Sequence, residues 1–290
     1  MKLARFTDSL GTRLGMVEGE EILDPARLFP ELPADVGGLL AQGGDVLSRL
    51  RAAAATSPRL PLASVTLEAP IARPPKFLGI GLNYEDHVAE SGQERPFLPT
   101  FFNKQSTCVA GPFAPVHLPK VSPLLDYEGE LGFVIGRRCR HVPRERAHEV
   151  IAGYLVVNDV TVRDWQLRIP TWTIGKSFDT HGPIGPWMVT ADELVDPHSL
   201  DLRTWVNGEL RQHSNTRHLI FDCFAQVEHL STAFTLEPGD IITTGTPGGV
   251  GGAMQPPQFL KVGDRVRVEI EGVGHIENEV IAEPDETVRI

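Results

Sequence analysis

The sequence predicts an α+β protein in which strands outnumber helices. Its 28 Gly and 24 Pro fall in clusters between short apolar segments, a pattern typical of many short strands joined by turns. The apolar segments are rich in β-branched residues, as residues 154–160 (YLVVNDV) illustrate. No repeat of fixed period is present, which argues against a solenoid or a propeller.

Residues 1–72 are predicted to form a small βββα domain. Short strands are expected at 3–6, 14–17 and 21–23, and residues 35–55 carry apolar side chains at near-helical spacing. Five prolines between residues 56 and 75 favour an extended connector, because proline fixes φ and lacks an N–H donor. A domain boundary near residue 72 follows, and residues 73–290 form the larger domain.

The larger domain alternates predicted strands with a few helices. Strands are expected at residues 76–81, 130–136, 154–160, 202–206 and 265–270. Helices are expected at 84–91, 144–152 and 219–233. Asn207 and Gly208 predict a type I′ hairpin turn, because both central positions of that turn need positive φ.

Composition excludes several classes of partner. The 27 Lys and Arg against 38 Asp and Glu leave a net charge of −11, which argues against nucleic-acid binding. No segment approaches the roughly 20 apolar residues of a membrane-spanning helix, so no membrane partner is expected. Cys108, Cys139 and Cys223 form no C-x-x-C pair, which argues against disulfides and a thiolate zinc site. A cytoplasmic protein is the expectation.

An acidic segment, residues 126–130 (DYEGE), runs directly into an apolar strand. Side chains alternate along an extended chain, so Glu128 and Glu130 point to one face, within reach of one cation. Asp159 lies inside another apolar strand, where aspartate is depleted and rarely buried unpaired. Three oxygen ligands favour Mg²⁺ or Mn²⁺ over zinc. The alternative for Glu128 and Glu130 is a solvent-facing strand edge.

A second candidate lies in the predicted helix at 84–91. His87 and Glu90 stand three residues apart and therefore share one helix face. A carboxylate in this position orients the imidazole as a general base. The alternative is an ordinary surface pair of histidine and glutamate.

Further polar residues follow Asp159. Arg163 and Gln166 can present donors to a substrate oxygen, and Lys176 supplies a positive charge; each is alternatively a surface group or salt-bridge partner. The glycine-rich residues 243–252 (TTGTPGGVGG) lack the spacing of a phosphate-binding loop. Their N–H groups and the Thr246 hydroxyl either approach a substrate oxyanion or form a structural turn.

Six segments occur in an order that resembles the fumarylacetoacetate hydrolase superfamily. They are GLNYEDHVAE, DYEGELGFVIG, GYLVVNDVTVRDWQ, GKSFDTHGPIGPW, LEPGDIITTGTPGGVG and FLKVGDRVRVEIEGVG. The resemblance covers about residues 76–280, and residues 1–72 look like the N-terminal extension of many bacterial members. It implies a mixed β-roll or β-sandwich catalytic domain, usually assembled as a homodimer.

The resemblance also implies roles for the candidate residues. Glu128, Glu130 and Asp159 match the three metal-ligating carboxylates, which would hold one Mg²⁺ or Mn²⁺ ion per subunit. Lys176 matches the lysine beside that metal.

The remaining matches concern catalysis and substrate. His87 and Glu90 match a catalytic dyad on a loop that orders over bound ligand. Arg163, Gln166 and Thr246 match positions that contact substrate oxygens.

The activity implied by the resemblance is metal-dependent hydrolysis of a C–C bond in a 2,4-dioxo acid, either acylpyruvate-like or derived from a sugar acid. The substrate partner would then be a small 2-oxo or 2,4-dioxo acid. The same site suits an oxaloacetate-type decarboxylase or a dienoate isomerase. A non-catalytic protein stabilised by a structural cation is the third hypothesis.

Overall fold

Strands dominate the computed structural model, which describes residues 1–194 and 196–287. In chain order the strands are β1 (Lys2–Asp8), β2 (Gly11–Glu18), β3 (Glu21–Leu23), β4 (Arg59–Pro61), β5 (Thr66–Glu68), β6 (Phe77–Gly81), β7 (Thr100–Lys104), β8 (Val109–Ala110), β9 (Val116–Leu118), β10 (Leu125–Asp126), β11 (Gly129–Ile135), β12 (Ile151–Asn158), β13 (Thr161–Val162), β14 (Gly182–Thr190), β15 (Asp201–Val206), β16 (Glu209–Asn215), β17 (Ile241–Thr243), β18 (Arg265–Ile270) and β19 (Gly274–Ala282).

Helices are short and lie between the strands. The α-helices are α1 (Val36–Ala41), α2 (Val46–Ala53), α3 (Glu85–Ser91), α4 (Arg163–Gln166) and α5 (Cys223–Ala233). The 3₁₀ helices span Pro25–Arg27, Ala54–Thr56, Leu62–Ser64, Ser106–Cys108, Arg144–Glu149, Thr216–His218, Gly251–Ala253 and Asp285–Thr287. The predicted α+β class is confirmed, and none of the described helices is long and apolar enough to cross a membrane.

Most strands belong to two sheets. The larger follows the order β4-β3-β2-β1-β14-β12-β11-β17-β6-β7, with β5 beside β1 and β8 beside β14. The smaller follows β16-β15-β18-β19-β9, and β10 pairs with β13. β1 is antiparallel to β14, where Lys2 faces Val189 and Leu3 faces Met188. The first 72 residues thus extend the sheet of the larger region, and their division into a separate domain stays a prediction.

The position of strand β12 between two hydrophobic clusters explains why its residues 154–157 are all apolar. Tyr154 and Val156 pack into one hydrophobic cluster, while Leu155 and Val157 pack into another. Because side chains alternate along a strand, a strand that is covered on both faces is apolar at every position. The unbroken YLVV run therefore lies in the middle of the protein.

Some predicted elements end elsewhere or are wrong. The helix expected at 35–55 is two helices, α1 and α2, separated by Gly43 and Gly44, which both have φ of +65°. The helix expected at 144–152 is a 3₁₀ helix that ends at Glu149, because Ile151 already pairs in β12. The expected extended connector at 56–75 contains β4 and β5. The hairpin turn is confirmed, with φ of +52° at Asn207 and +81° at Gly208.

Candidate metal and catalytic site

Antiparallel pairing of β11 and β12 brings three carboxylates together. Glu128 precedes β11, Glu130 lies in it, and Asp159 follows the end of β12. The Asp159 amide donates to the Glu128 carbonyl at 2.8 Å, which joins the two strand ends. One carboxylate oxygen from each residue lies within 4.8 Å of the others, and all three side chains are buried.

Two buried lysines compensate part of this negative charge. Lys176 Nζ lies 2.6 Å from Glu128 Oε2 and 2.7 Å from Asp159 Oδ2. Lys104 Nζ lies 2.6 Å from the other Asp159 oxygen, and it also donates to the carbonyls of Lys176 and His181. Sequence analysis missed the pairing of Lys104, because Asp159 and the two carbonyls lie more than 50 residues away along the chain.

No lysine among the described residues forms an ion pair with Glu130. Its Oε2 accepts hydrogen bonds from the Thr243 hydroxyl and, at 2.8 Å, from the Gly245 amide. Burial, together with the charges of Asp159 and Glu128, raises the pKa of Glu130 well above its usual range. For Glu128 the burial effect is outweighed by Lys176 and Arg163, which lower the pKa to about 2.

The cluster therefore fits a further cation. Three buried carboxylates share one space, and Glu130 ionises only at a cost unless positive charge is added. The metal-binding atoms of the cluster are carboxylate oxygens, hard ligands that suit Mg²⁺ or Mn²⁺. Glu128, Glu130 and Asp159 are the residues that can hold such an ion.

Arg163 lies beside the cluster. Its guanidinium contacts Asp126 at 2.8 Å, Glu128 at 2.6 Å and Gln166 Oε1 at 3.0 Å. Arg163 Nη2 is buried and has no partner in the described part of the chain. A buried donor without a partner costs free energy, so this N–H group is suited to donate to a ligand oxygen.

The glycine-rich loop is held by the protein's own carboxylates. Amides of Gly251 and Gly252 donate to Asp126 at 2.9 and 2.8 Å, and the Gly249 amide donates to Glu90 at 2.8 Å. These N–H groups are therefore unavailable to a substrate oxyanion, which favours the structural interpretation of the loop. The role of Asp126 was missed because its partners lie far along the chain.

Helix α3 carries the histidine and glutamate pair. His87 Nδ1 lies 2.7 Å from Glu90 Oε1, as their shared helix face predicts. Asn83, fully buried before the helix, donates to the carbonyls of Phe221 and Thr244 at 2.9 and 2.7 Å. The Asn83 contacts fix the start of α3, and the Glu90 bond to the glycine-rich loop fixes its end.

Thr246 is already engaged. Its hydroxyl donates to the Gly129 carbonyl at 3.0 Å and accepts from Gln212 Nε2 at 2.7 Å. The Thr246 hydroxyl can donate to a substrate only if its hydrogen bond to the Gly129 carbonyl breaks. Gln166, by contrast, uses only its carbonyl oxygen, on Arg163, within the described structure.

A cavity of about 720 Å³ unites most of these groups. Its volume is within the ~300–1,000 Å³ range of small-molecule sites. Seven of the nine predicted site residues line it: His87, Glu90, Glu128, Arg163, Gln166, Lys176 and Thr246. Glu130 and Asp159 are 1% and 0% exposed and lie beneath its surface.

Residues 76–281 match the family model described as fumarylacetoacetate (FAA) hydrolase, C-terminal. The chain belongs to this family. The resemblance predicted from the six segments is confirmed, and the match covers the larger region that contains the cavity.

Relatives and solved structures of this family carry several activities in their names. A Burkholderia ambifaria protein named only as a hydrolase is 45% identical over 277 residues, covering 94% of this chain and 96% of that protein. The mitochondrial oxaloacetate tautomerase of Xenopus laevis is 40% identical over 288 residues, covering 97% and 90%.

Two solved structures cover 98% of this chain and 100% of their own chains. Maleylpyruvate hydrolase from Sphingobium sp. SYK-6, in complex with manganese(II) and pyruvate, is 37% identical with a TM-score of 0.82. The 2-hydroxyhepta-2,4-diene-1,7-dioate isomerase from Mycobacterium marinum is 34% identical with a TM-score of 0.78. Hydrolase, tautomerase and isomerase thus share this family fold.

Proposed function

We propose that this protein is a Mg²⁺- or Mn²⁺-dependent hydrolase that cleaves a C–C bond in a 2,4-dioxo acid. One observation carries the proposal: the His87–Glu90 pair lines the same cavity as Glu128, Lys176 and Arg163. The reaction needs an activated water and a site that stabilises developing negative charge. A general base at His87 supplies the first, and the cations Lys176 and Arg163 supply the second.

Glu128, Glu130 and Asp159 would hold the metal ion, which when bound supplies Lewis-acid stabilisation of negative charge on the 2-oxo acid. The Arg163 Nη2 group would donate to the substrate carboxylate, since Arg163 lines the cavity and this buried donor has no partner among the described residues. Manganese and pyruvate in the maleylpyruvate hydrolase structure support this class of ligand.

His87 would take a proton from water while Glu90 holds the imidazole in position. The water oxygen attacks the C4 carbonyl, the C3–C4 bond breaks, and its electron pair passes to C3 of the leaving pyruvate enolate. Lys176 would stabilise this negative charge. Protonation of C3 gives pyruvate, and the acyl part leaves as a carboxylic acid. A well-placed general base contributes roughly 10²- to 10⁴-fold.

The second candidate is tautomerisation, decarboxylation or isomerisation of a related 2-oxo acid at the same site. It is supported by the oxaloacetate tautomerase relative and by the dienoate isomerase structure. These reactions need no attacking water, so His87→Ala is expected to abolish hydrolysis but to leave metal-driven decarboxylation. The homodimer implied by the resemblance stays a prediction.

The test follows the absorbance of acetylpyruvate, a longer acylpyruvate and fumarylpyruvate with Mg²⁺, Mn²⁺ or EDTA, beside an oxaloacetate assay. Metal-dependent formation of pyruvate and an acid, lost in Glu128→Ala and His87→Ala, supports the hydrolase. His213→Ala is the matched control, because His213 is exposed on β16 and does not line the cavity. Turnover of oxaloacetate alone supports the second candidate.

Melting temperature gives a readout that is independent of turnover. Mn²⁺ at about 100 times its Kd is expected to stabilise the protein by about 2.7 kcal/mol, and Asp159→Asn is expected to reduce this shift. A shift without turnover of any dioxo acid or of oxaloacetate supports the structural-cation hypothesis instead.

A further inference from the structure

Asp126 accepts hydrogen bonds from four donors, two on each carboxylate oxygen. Its Oδ1 accepts from the amides of Tyr127 and Gly251, each at 2.9 Å. Its Oδ2 accepts from the Gly252 amide and from Arg163 Nε, each at 2.8 Å. The residue is 0% exposed, so bulk water does not compete for these bonds. Asp126 therefore joins the glycine-rich loop to an arginine that lines the cavity.

The donors around Asp126 require a carboxylate rather than an amide. A carboxylate accepts at both oxygens, whereas the NH₂ group of an asparagine only donates. In either orientation of the amide, that NH₂ group would face two N–H groups, which would lose their acceptor. An aspartate is therefore the residue that can bind the loop and the guanidinium together.

The contacts of Arg163 leave one of its nitrogens for a ligand. A guanidinium carries five N–H groups, one on Nε and two on each Nη. Nε donates to Asp126, and Nη1 donates to Glu128 at 2.6 Å and to Gln166 Oε1 at 3.0 Å. Nη2 has no partner among the described residues. The two N–H groups of Nη2 are thus the ones available to a substrate carboxylate.

Arg163 contacts two carboxylates that differ in their other partners. Glu128 belongs to the carboxylate cluster that can hold a cation, and its Oε2 also accepts from Lys176 at 2.6 Å. Asp126 is not a member of that cluster. The Asp126 contact is therefore the one that does not involve a metal-binding group.

The glycine-rich loop fits closely around the contact between Asp126 and Arg163. A Cβ at Gly252 would lie 3.1 Å from Asp126 Oδ2 and 3.4 Å from Arg163 Nε. A Cβ at Gly251 would lie 2.8 Å from Asp126 Oδ1. Because glycine has no Cβ, both amides come near enough to donate. The loop thus holds the carboxylate that holds the arginine.

We propose that Asp126 is a positioning residue, which holds Arg163 so that Nη2 faces the substrate carboxylate. This role rests on the proposed function, because it assumes that Arg163 binds that carboxylate. The rotamer entropy of an arginine side chain corresponds to about 30-fold in affinity. Since Glu128 and Gln166 still hold Nη1 when Asp126 is removed, we expect a smaller loss, about tenfold in the binding of a 2-oxo acid.

The test measures pyruvate affinity by calorimetry on the full chain, with Mn²⁺ held at saturation for each variant. Asp126→Ala is expected to weaken pyruvate binding about tenfold. The matched control is Asp24→Ala, which is expected to change it less than twofold. Asp24 is also 0% exposed and accepts from Arg13 Nε at 2.8 Å, but Arg13 is not among the described residues that line the cavity.

The outcomes separate the positioning role from the proposed function. A loss of less than threefold in Asp126→Ala overturns the role and leaves the hydrolysis proposal intact. No binding of pyruvate by the unaltered protein overturns the 2-oxo acid site itself, and the role with it. If Asp126→Ala does not fold, the isosteric Asp126→Asn replaces it, with at least threefold weaker binding expected and less than twofold in the control Asp24→Asn. A loss in Asp126→Asn no larger than in its control overturns the role.

A double-mutant cycle tests whether Asp126 acts through Arg163. Arg163→Lys keeps the positive charge but removes the planar guanidinium that Asp126 orients. In the Arg163→Lys background, the further loss caused by Asp126→Ala, or by Asp126→Asn in its place, is expected to be less than threefold and smaller than in the unaltered protein. Losses that multiply would indicate a general effect on the structure and would overturn the positioning role.

Discussion

Removal of the Lys104 ammonium is expected to be the most informative perturbation of the buried cluster. Lys104→Met keeps an unbranched side chain of similar length but takes one cation from Asp159 and leaves two carbonyls without their donor. Breaking a buried ion pair costs about 3–5 kcal/mol. Because Asp159 keeps Lys176 at 2.7 Å, we expect a loss at the lower end, about 3 kcal/mol.

Urea unfolding in EDTA measures this loss without a contribution from metal. The matched control is Lys120→Met, which breaks an exposed pair with Asp285 at 2.8 Å and is expected to cost less than about 1 kcal/mol. Combining Lys104→Met with Asp159→Asn should give a coupling energy of at least about 1 kcal/mol. A loss below about 1 kcal/mol for Lys104→Met, or strict additivity, would refute the reasoning.

Three other predictions test the surroundings of the site. Burial, with the charge of Lys104, lowers the pKa of His181 to about 3 from 6.5, so the folded state disfavours the proton that the unfolded state binds. The stability advantage over His181→Gln in urea unfolding should therefore shrink by about 2 kcal/mol between pH 7 and pH 5, and a constant difference would contradict this. Gly249→Ala should lower the free energy of unfolding by at least about 2 kcal/mol, because φ is +107° and a Cβ would overlap a backbone carbonyl. The control Gly263→Ala, with φ of +93° and open space around it, should lower it by only about 1 kcal/mol. Equal losses in urea unfolding would count against the close approach at Gly249. Glu90→Gln should lower kcat/KM for acylpyruvates about 10²-fold, because it removes the carboxylate that orients His87, and an unchanged rate would exclude the dyad.

The sequence by itself determined those parts of the candidate site that depend on the spacing of residues within one strand or one helix. The alternation of a strand set Glu128 and Glu130 on one face, and the spacing of a helix set His87 beside Glu90. Asp159 stood out because an acidic residue in an apolar segment needs a partner, although the structure places it just after the end of β12. The strand pattern around these residues also predicted the α+β fold.

Only the tertiary structure decided which partners these groups have. Lys104 reaches Asp159 across 55 positions of the chain, and Asp126 binds the Gly251 amide across 125. Local periodicity says to which face a side chain points, but not which distant element covers that face. Burial then forces each charge to find a partner, and the pairing of β11 with β12 and the course of the glycine-rich loop determine which partner is near.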